Sequence, residues 1–226
     1  MRALVIQHDI DGPAGHVSDW LAERGAEQDL YRIGDDRRER DPREYDLIVS
    51  LGSEHAAYDD AIPWLGLERR LLAEAAAADV ALLGICFGSQ LLARALGGEA
   101  MRAPHPEIGW VAIETSEPSL IEPGPWMQWH YDTFTPPAGA VLLAESPAGP
   151  QAFTLGRSLG LQFHPEVTPE IVASWVDSGP DQLAGVGLEP DRLLGRTREL
   201  SEANRTRAWQ LLDTFIDRVA RVGATA

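Results

Sequence analysis

The chain has 226 residues, of which 44% are hydrophobic and 24% are charged, and its formal net charge is -16 at pH 7. This length and composition indicate one compact globular domain, or one domain with an appendage. The negative charge disfavours nucleic acids and anionic membrane surfaces as partners. No apolar run approaches the roughly 20 residues that cross a bilayer. Acidic residues interrupt the N-terminal segment too early for a signal peptide, so we expect a cytoplasmic protein.

The residue types that are missing exclude several kinds of chemistry. All 19 basic residues are arginine, so the chain has no lysine for a Walker-type phosphate loop, a Schiff base or a general base. Its single cysteine excludes an internal disulfide and a Cys-x-x-Cys metal site. His55 and His105 read as isolated loop histidines. We therefore expect no cofactor and no bound metal.

The first half of the chain alternates between strand-like and helix-like segments. The strands cover 2–7, 29–35, 45–52 and 80–85, and the helices cover about 12–24 and 66–78. The charged stretch between 35 and 46 predicts a solvated loop. Because the connections are too long for hairpins, the pattern predicts an α/β fold with a mostly parallel central sheet and helices on both faces.

After Gly97-Gly98 the pattern changes to short strand-like runs separated by proline and glycine. These runs, at 110–115, 140–146, 151–156 and 159–164, predict a small antiparallel or mixed extension of the sheet. Thr168-Pro169-Glu170 then has the order of N-cap, first helical residue and acidic first turn that opens a helix. The last apolar residues share one helical face, which predicts a helix packed on its own sheet: Ala208, Leu211, Leu212, Phe215, Val219 and Val222.

The only cysteine lies where a buried strand meets a helix. Gly84-Ile85-Cys86-Phe87-Gly88 has the G-x-C-x-G form of a nucleophile elbow, a sharp turn in which flanking side chains would crowd the backbone. The free N–H groups and dipole at the start of the helix favour a thiolate over a thiol. Phe87 would offer its backbone N–H to an oxyanion. The sequence therefore predicts that Cys86 is a nucleophile.

A cysteine nucleophile needs a base, and the base needs an acceptor that orients it. In LGLQFHPE an apolar strand runs into His164, and Glu166 follows two residues later. In an extended segment such residues point the same way, so Glu166 can reach the imidazole nitrogen that faces away from the sulfur.

With GICFGSQ at 84–90 and FHPE at 163–166 in this order, the sequence resembles the class I glutamine amidotransferases. This triad-type glutaminase family includes the amidotransferase domain of GMP synthases. The resemblance covers most of the chain, from LVIQHD through FHPEV, and leaves only about the last fifty residues weakly matched. We therefore expect a single domain of this kind over 1–226, with 168–226 as a C-terminal helical extension. The resemblance implies a flavodoxin-like sheet with the nucleophile elbow after a central strand.

The resemblance also implies roles for individual residues. It implies a triad of Cys86, His164 and Glu166 that forms a γ-glutamyl thioester. Gly52 resembles the glycine whose N–H completes the family's oxyanion hole with that of Phe87.

The substrate-binding residues follow from the same resemblance. Gln90 matches the residue that helps to hold the substrate glutamine. Trp129, His130 and Asp132 lie where relatives have a stretch beside the amino-acid end of the substrate. Two positions depart from the family pattern: Leu51-Gly52-Ser53 replaces Gly-Gly-Pro, and Trp129 replaces a small residue.

Three functions stay open at this stage. The first is a glutaminase that cleaves a γ-glutamyl amide through a cysteine thioester and passes ammonia to a separate synthetase chain. The second is a free-standing hydrolase of γ-glutamyl conjugates, which Trp129 favours. The third is a noncatalytic regulatory relative. The sequence does not identify the synthetase or the ammonia acceptor, and it leaves open whether the chain forms a homodimer.

Overall fold

The computed structural model describes residues 1–36 and 38–220. The strands are β1 (Arg2–Gln7), β2 (Glu27–Arg32), β3 (Leu47–Ser50), β4 (Ala81–Ile85), β5 (Glu99–Val111), β6 (Glu114–Thr115), β7 (Trp126–Thr135), β8 (Val141–Ser146), β9 (Gly149–Leu155) and β10 (Ser158–Leu161). The helices are α1 (Gly15–Glu23), α2 (Leu65–Ala77), α3 (Phe87–Ala95), α4 (Pro169–Ser178), α5 (Pro180–Gly185) and α6 (Pro190–Thr214). A π-helical turn, Phe215–Ala220, continues α6, and a 3-10 turn, Pro42–Glu44, lies within the predicted charged loop. The predicted core residue Val222 lies outside the described residues.

The central sheet has eight strands in the order β2-β1-β3-β4-β10-β9-β8-β6. The first five are parallel, and β9, β8 and β6 add to them in antiparallel pairings. The parallel part has the 2-1-3-4-5 order of a flavodoxin-like sheet. The predicted fold class is therefore confirmed, and the elbow follows the central strand β4.

Both faces of this sheet are buried under helices. Along β1, Val5 packs into the apolar cluster that includes α1 and α6, and Ile6 packs into the cluster that includes α2 and α3. This alternation is what the two-residue period of a strand requires when both of its faces are covered. Leu211 and Leu212 belong to the first cluster, so the predicted packing of the last helix on its own sheet is confirmed. In the ranges described above, no helix combines the length and apolarity needed to span a bilayer.

The sequence predicted no strand at 126–135. The predicted antiparallel or mixed extension of the sheet is formed by β6, β8 and β9, and it does not include β5 and β7. These two strands form a separate antiparallel sheet, and the register shifts between Arg102 and Glu107. Pro104 and Pro106 lie in the shifted segment, where ladder hydrogen bonds are interrupted and proline is tolerated. The two prolines hide this strand from a sequence-based prediction, which placed a strand only at 110–115.

Candidate active site

Cys86 occupies a strained turn between β4 and α3. Its φ is 51°, a left-handed conformation that costs a residue with a side chain about 1–3 kcal/mol. A Cβ added to Gly84 would lie 2.6 Å from the carbonyl oxygen of Gly88, and one added to Gly88 would lie 2.1 Å from the carbonyl oxygen of Ser50. Both flanking positions therefore have room only for hydrogen, as the elbow pattern predicts.

His164 and Glu166 form a buried pair beyond the end of β10. His164 Nδ1 lies 2.7 Å from Glu166 Oε1, and both side chains are 4% exposed. Among the described residues, His164 Nε2 has no hydrogen-bond partner. The ring of Trp175 contacts the imidazole edge-on, with ring centroids 4.8 Å apart. The carboxylate thus orients the ring and leaves Nε2 free for chemistry.

Gly52, in the loop after β3, lies close to both the cysteine and the histidine. A Cβ added to Gly52 would lie 3.0 Å from His164 Cε1 and 3.8 Å from Cys86 Cβ. In the part of the chain that the structure describes, the backbone N–H groups of Gly52 and Phe87 donate no hydrogen bond. Two unused main-chain donors therefore lie beside the thiol, an arrangement that suits a developing oxyanion.

The charge state of His164 follows from its neighbours. Burial by itself lowers the pKa of His164, but the negative charges of Glu166 and Cys86 outweigh it and raise the pKa to about 10. The imidazole is then protonated at neutral pH. The resting site therefore places a positive charge beside Cys86.

These residues share one cleft of about 250 Å³. Every residue that the sequence predicted for the site lines it: Gly52, Cys86, Phe87, Gln90, Trp129, His130, Asp132, His164 and Glu166. The structure therefore brings the predicted residues together, while their catalytic and binding roles stay predictions.

The polar side chains of the predicted substrate-binding residues already have hydrogen-bond partners within the protein. The side-chain amide of Gln90 donates to Gln162 Oε1 at 3.2 Å. His130 is committed to a buried contact with Glu107, with Nε2 3.2 Å from the carboxylate. Burial raises the pKa of Glu107, but hydrogen bonds from His130 and Ser146 outweigh it and hold the pKa below its usual value.

Trp129 and Asp132 are also held by protein partners. The indole N–H of Trp129 donates to the side-chain oxygen of Gln182 at 2.6 Å, and the hydroxyl of Tyr58 donates to the Asp132 carboxylate at 3.1 Å. These hydrogen bonds fix the walls of the cleft.

Sequence reasoning missed several residues in or next to the cleft. Gln162 is buried next to the cleft, where its side-chain amide donates to Cys86 Sγ at 3.6 Å. It lies two residues before His164 in extended chain, so the two-residue period would have found it. Trp175 and Arg102 line the cleft, but they come from α4 and β5 and carry no local signal.

His55 is not isolated, contrary to the prediction for this loop histidine. It lies with Asp9 and Glu54 at the edge of the cleft, and the potential ligand atoms of the three residues are within 4.8 Å of one another. The Asp9 carboxylate accepts a hydrogen bond from the Glu54 backbone N–H at 2.9 Å. The cluster is exposed or half-buried, and we assign it no ligand.

The sequence profile of the family "Glutamine amidotransferase class-I" matches residues 16–173, and the chain belongs to this family. A GMP synthase [glutamine-hydrolyzing] of Aeropyrum pernix is 40% identical over an alignment of 109 residues that covers 42% of this chain and 21% of that protein. The chain thus spans about a fifth of the length of the GMP synthases that it matches.

Other relatives match along nearly the whole chain. The glutamine amidotransferase-like protein YfeJ of Salmonella typhimurium is 28% identical, with 96% of each chain covered. The crystal structure of a glutamine amidotransferase from Thermotoga maritima superposes with a TM-score of 0.87 at 30% identity, covering 96% of this chain and 98% of the other. The described helices α4–α6 are therefore part of an architecture that is shared with relatives of similar chain length.

Proposed function

We propose that the chain is an amidohydrolase that cleaves a γ-glutamyl amide through a thioester on Cys86. The observation that carries this proposal is the single cleft that holds a strained cysteine, an imidazole with a free Nε2, and a carboxylate 2.7 Å from its Nδ1. Membership in the glutamine amidotransferase class-I family supports it.

The reaction follows from the charges of the resting site. The Cys86 thiolate attacks the side-chain amide carbon, and the carbonyl oxygen gains the negative charge. The C–N bond then breaks as His164 Nε2 gives its proton to the leaving nitrogen. Neutral His164 next takes a proton from water as the water oxygen attacks the thioester. Glutamate leaves, and the imidazolium–thiolate pair is restored.

The N–H groups of Gly52 and Phe87 would bind the oxyanion in both steps. Losing one such donor costs about 3–4 kcal/mol of transition-state stabilisation in enzymes of this general kind. Preorganised donors gain this much because they need no rearrangement when the charge develops.

Charge complementarity supports a glutamyl group in the cleft. Arg102 is the only arginine among the described lining residues, and its NH1 lies 3.4 Å from the Asp132 carboxylate. We assign the α-carboxylate of the substrate to Arg102 and its α-ammonium group to Asp132. Gln90 then lies along the glutamyl chain.

Ammonia is the leaving group in the first form of this proposal, and a separate synthetase consumes it. The GMP synthase relatives, named as glutamine-hydrolyzing, support an ammonia-donor role. The chain itself contains no lysine for a Walker-type phosphate loop, so we assign the ATP-dependent step to another protein.

One observation favours a second form, a hydrolase of γ-glutamyl conjugates. Trp175 contacts the His164 ring and also meets Trp129, with the indole centroids 5.7 Å apart. Since His164 protonates the departing nitrogen, the two indoles border the side on which the amine leaves. Such an apolar wall would pack against a substituted amine but gives ammonia little to bind.

Release of ammonia or amine should be measured across glutamine and a panel of γ-glutamyl amides, with Cys86→Ala as the blank. Preference for glutamine and stimulation by an added synthetase support the ammonia donor. Preference for substituted amides without any partner supports the hydrolase. Turnover that persists in Cys86→Ala refutes the mechanism. Failure of a glutamine-like electrophile to label Cys86 would leave a noncatalytic regulator.

A further inference from the structure

A second buried histidine–carboxylate pair lies behind the cleft. His8 follows β1 and Glu68 lies in the first turn of α2; both side chains are fully buried, with His8 Nε2 2.8 Å from Glu68 Oε2. Neither residue lines the cleft. The mechanism above does not use this pair, and a buried charged pair needs a reason because taking both groups out of water costs several kcal/mol per ion.

The other nitrogen of His8 points to the loop of the active site. His8 Nδ1 lies 3.0 Å from the carbonyl oxygen of Gly52, an atom that can only accept. Nδ1 must therefore carry the hydrogen and donate it. Burial by itself lowers the pKa of His8, but Glu68 and the Gly52 carbonyl outweigh it and raise the pKa. The raised pKa favours the imidazolium form, in which both ring nitrogens donate.

The same ring also contacts the second donor residue. The Phe87 ring meets His8 edge-on, with centroids 4.8 Å apart, and Trp64 stacks on His8 at 5.0 Å and also contacts Phe87 at 5.7 Å. Glu68 is held in turn, because the hydroxyl of Ser50 donates to its Oε1 at 2.6 Å. His8 thus contacts the backbone of Gly52 and the side chain of Phe87, the two residues whose N–H groups we assign to the oxyanion.

The loop needs such support because of its sequence. Relatives with Gly-Gly-Pro have a proline that restricts the backbone after the donor glycine, whereas this chain has Leu51-Gly52-Ser53. A hydrogen bond to the Gly52 carbonyl fixes the orientation of the peptide that joins Gly52 to Ser53. The Gly52 N–H belongs to the preceding peptide, whose Leu51 carbonyl accepts from the Gly88 N–H at 3.1 Å. The peptides on both sides of Gly52 are therefore held, the first by the elbow and the second by His8.

We propose that His8 and Glu68 are positioning residues that hold the oxyanion-hole loop through the Gly52 carbonyl. The inference rests on the proposed function, because it assigns Gly52 N–H to the oxyanion. This inference predicts that the pair supports the step in which negative charge develops on the substrate oxygen. Loss of the pair should leave the reactivity of the Cys86 thiol and the affinity for the glutamyl group unchanged.

His8→Leu keeps an apolar side chain packed against Trp64 and Phe87 but removes the hydrogen-bond donor to Gly52. It should lower kcat for γ-glutamyl amide hydrolysis about 10- to 100-fold, which is part of the effect of losing a whole oxyanion donor. KM should stay within about threefold. His8→Asn should recover part of the rate, because an asparagine amide nitrogen can take the place of Nδ1. Glu68→Gln should be milder than Glu68→Leu, since glutamine can still bond to the ring and to Ser50.

Alkylation of Cys86 by iodoacetamide separates positioning from general damage. The thiolate displaces iodide and forms a C–S bond without an oxyanion, so the alkylation rate should stay within about twofold in all four variants. Thr197→Val is the matched control: it removes a buried hydroxyl that accepts from Trp110 at 2.9 Å, away from the cleft, and should leave turnover unchanged. A parallel loss of alkylation and turnover in the His8 and Glu68 variants would overturn the positioning role.

Backbone hydrogen exchange gives a readout that needs no turnover. Exchange in the peptide that spans 50–54 should be at least about tenfold faster in His8→Leu than in the wild type or in Thr197→Val, because the loop loses its anchor. Unchanged exchange, or His8→Leu turnover within about threefold of the wild type, overturns the inference. Turnover that survives Cys86→Ala would instead refute the proposed function, so the two failures are distinguishable.

Discussion

Asn204, in the middle of α6, donates its side-chain amide to the carbonyl oxygen of Pro165, the residue between His164 and Glu166. The same amide nitrogen lies 3.4 Å from the Pro165 oxygen and 3.2 Å from that of Val167. Asn204 is fully buried. The last long helix therefore anchors the turn that holds the imidazole and the carboxylate, and the C-terminal segment is structurally coupled to the active site.

Replacing this anchor should affect both stability and activity. Asn204→Leu keeps the volume but leaves two buried carbonyl groups without their donor, so we expect the free energy of unfolding to fall by about 1–3 kcal/mol. Turnover at saturating substrate should also fall, because the His164–Glu166 turn is no longer fixed. Urea denaturation and steady-state kinetics measure the two effects.

Thr206→Ala is the control on the same helix, since Thr206 is exposed and its hydroxyl donates only to the carbonyl of Glu202. It should change neither quantity appreciably. Wild-type turnover in well-folded Asn204→Leu would show that α6 does not support the site.

Two glycines provide a matched test of the elbow. In Gly88→Ala the new Cβ would lie 2.1 Å from the backbone oxygen of Ser50, so β3 and α3 must separate and we expect a loss of about 3 kcal/mol or more. A Cβ at Gly195, within α6, meets nothing within 4 Å. Gly195→Ala should therefore stabilise the protein by about 0.5–1 kcal/mol. Thermal or urea unfolding of both variants tests the contrast, and similar stabilities would contradict it.

The sequence was most informative for segments whose local residue pattern directly reflects their packing in the fold. β1, β3 and β4 are apolar on both faces because helices cover both faces, and this makes them recognisable as strands of a parallel sheet. The elbow was predictable because steric crowding excludes side chains at Gly84 and Gly88. The β5–β7 sheet was not, because Pro104 and Pro106 interrupt the strand signal and its partner begins fifteen residues after β5 ends.

The same distinction holds within the candidate site. The glycines around Cys86 indicate the elbow, and the two-residue spacing brings Glu166 to His164. The resemblance to the family implied that these two segments meet. Arg102 and Trp175 gave no local signal, because β5 and α4 reach the cleft only through tertiary packing. The fully buried pair of residues 8 and 68 is a further case, since one member follows β1 and the other lies on α2.

Arg102 offers a test of substrate recognition that is separate from the chemistry. Because we assign the substrate α-carboxylate to this guanidinium, Arg102→Met should raise KM for a γ-glutamyl amide about 10- to 100-fold, the range of a lost charge-assisted contact of about 1.5–3 kcal/mol. kcat should change less than about threefold, since the contact is the same in the ground and transition states.

Arg43→Met provides the control for loss of a positive charge, because Arg43 is exposed and pairs with Asp41 outside the cleft. It should leave KM unchanged. A fall in kcat with constant KM in Arg102→Met would contradict the assignment and place Arg102 in the chemical step.

The alkaline limb of the pH profile should report on His164. Its pKa is raised to about 10, mainly because the charges of Glu166 and Cys86 outweigh burial. The proton that His164 gives to the leaving nitrogen is therefore present at neutral pH and is lost as the pH rises through about 10. Turnover should stay high near neutrality and fall in that alkaline range.

Glu166→Gln removes the nearest negative charge and should move this alkaline limb to lower pH, with a lower plateau because the ring is less well oriented. The free energy of unfolding should depend on pH in the same direction. The pKa of His164 rises from about 6.5 in the unfolded chain to about 10 in the folded protein, and this shift stabilises the native state fully below pH 6.5. The contribution disappears as the pH rises to 10. Profiles of kcat/KM and urea unfolding between pH 6 and 10.5 measure both effects. An alkaline limb at the same pH in Glu166→Gln and the wild type would show that this carboxylate does not set the charge of the imidazole.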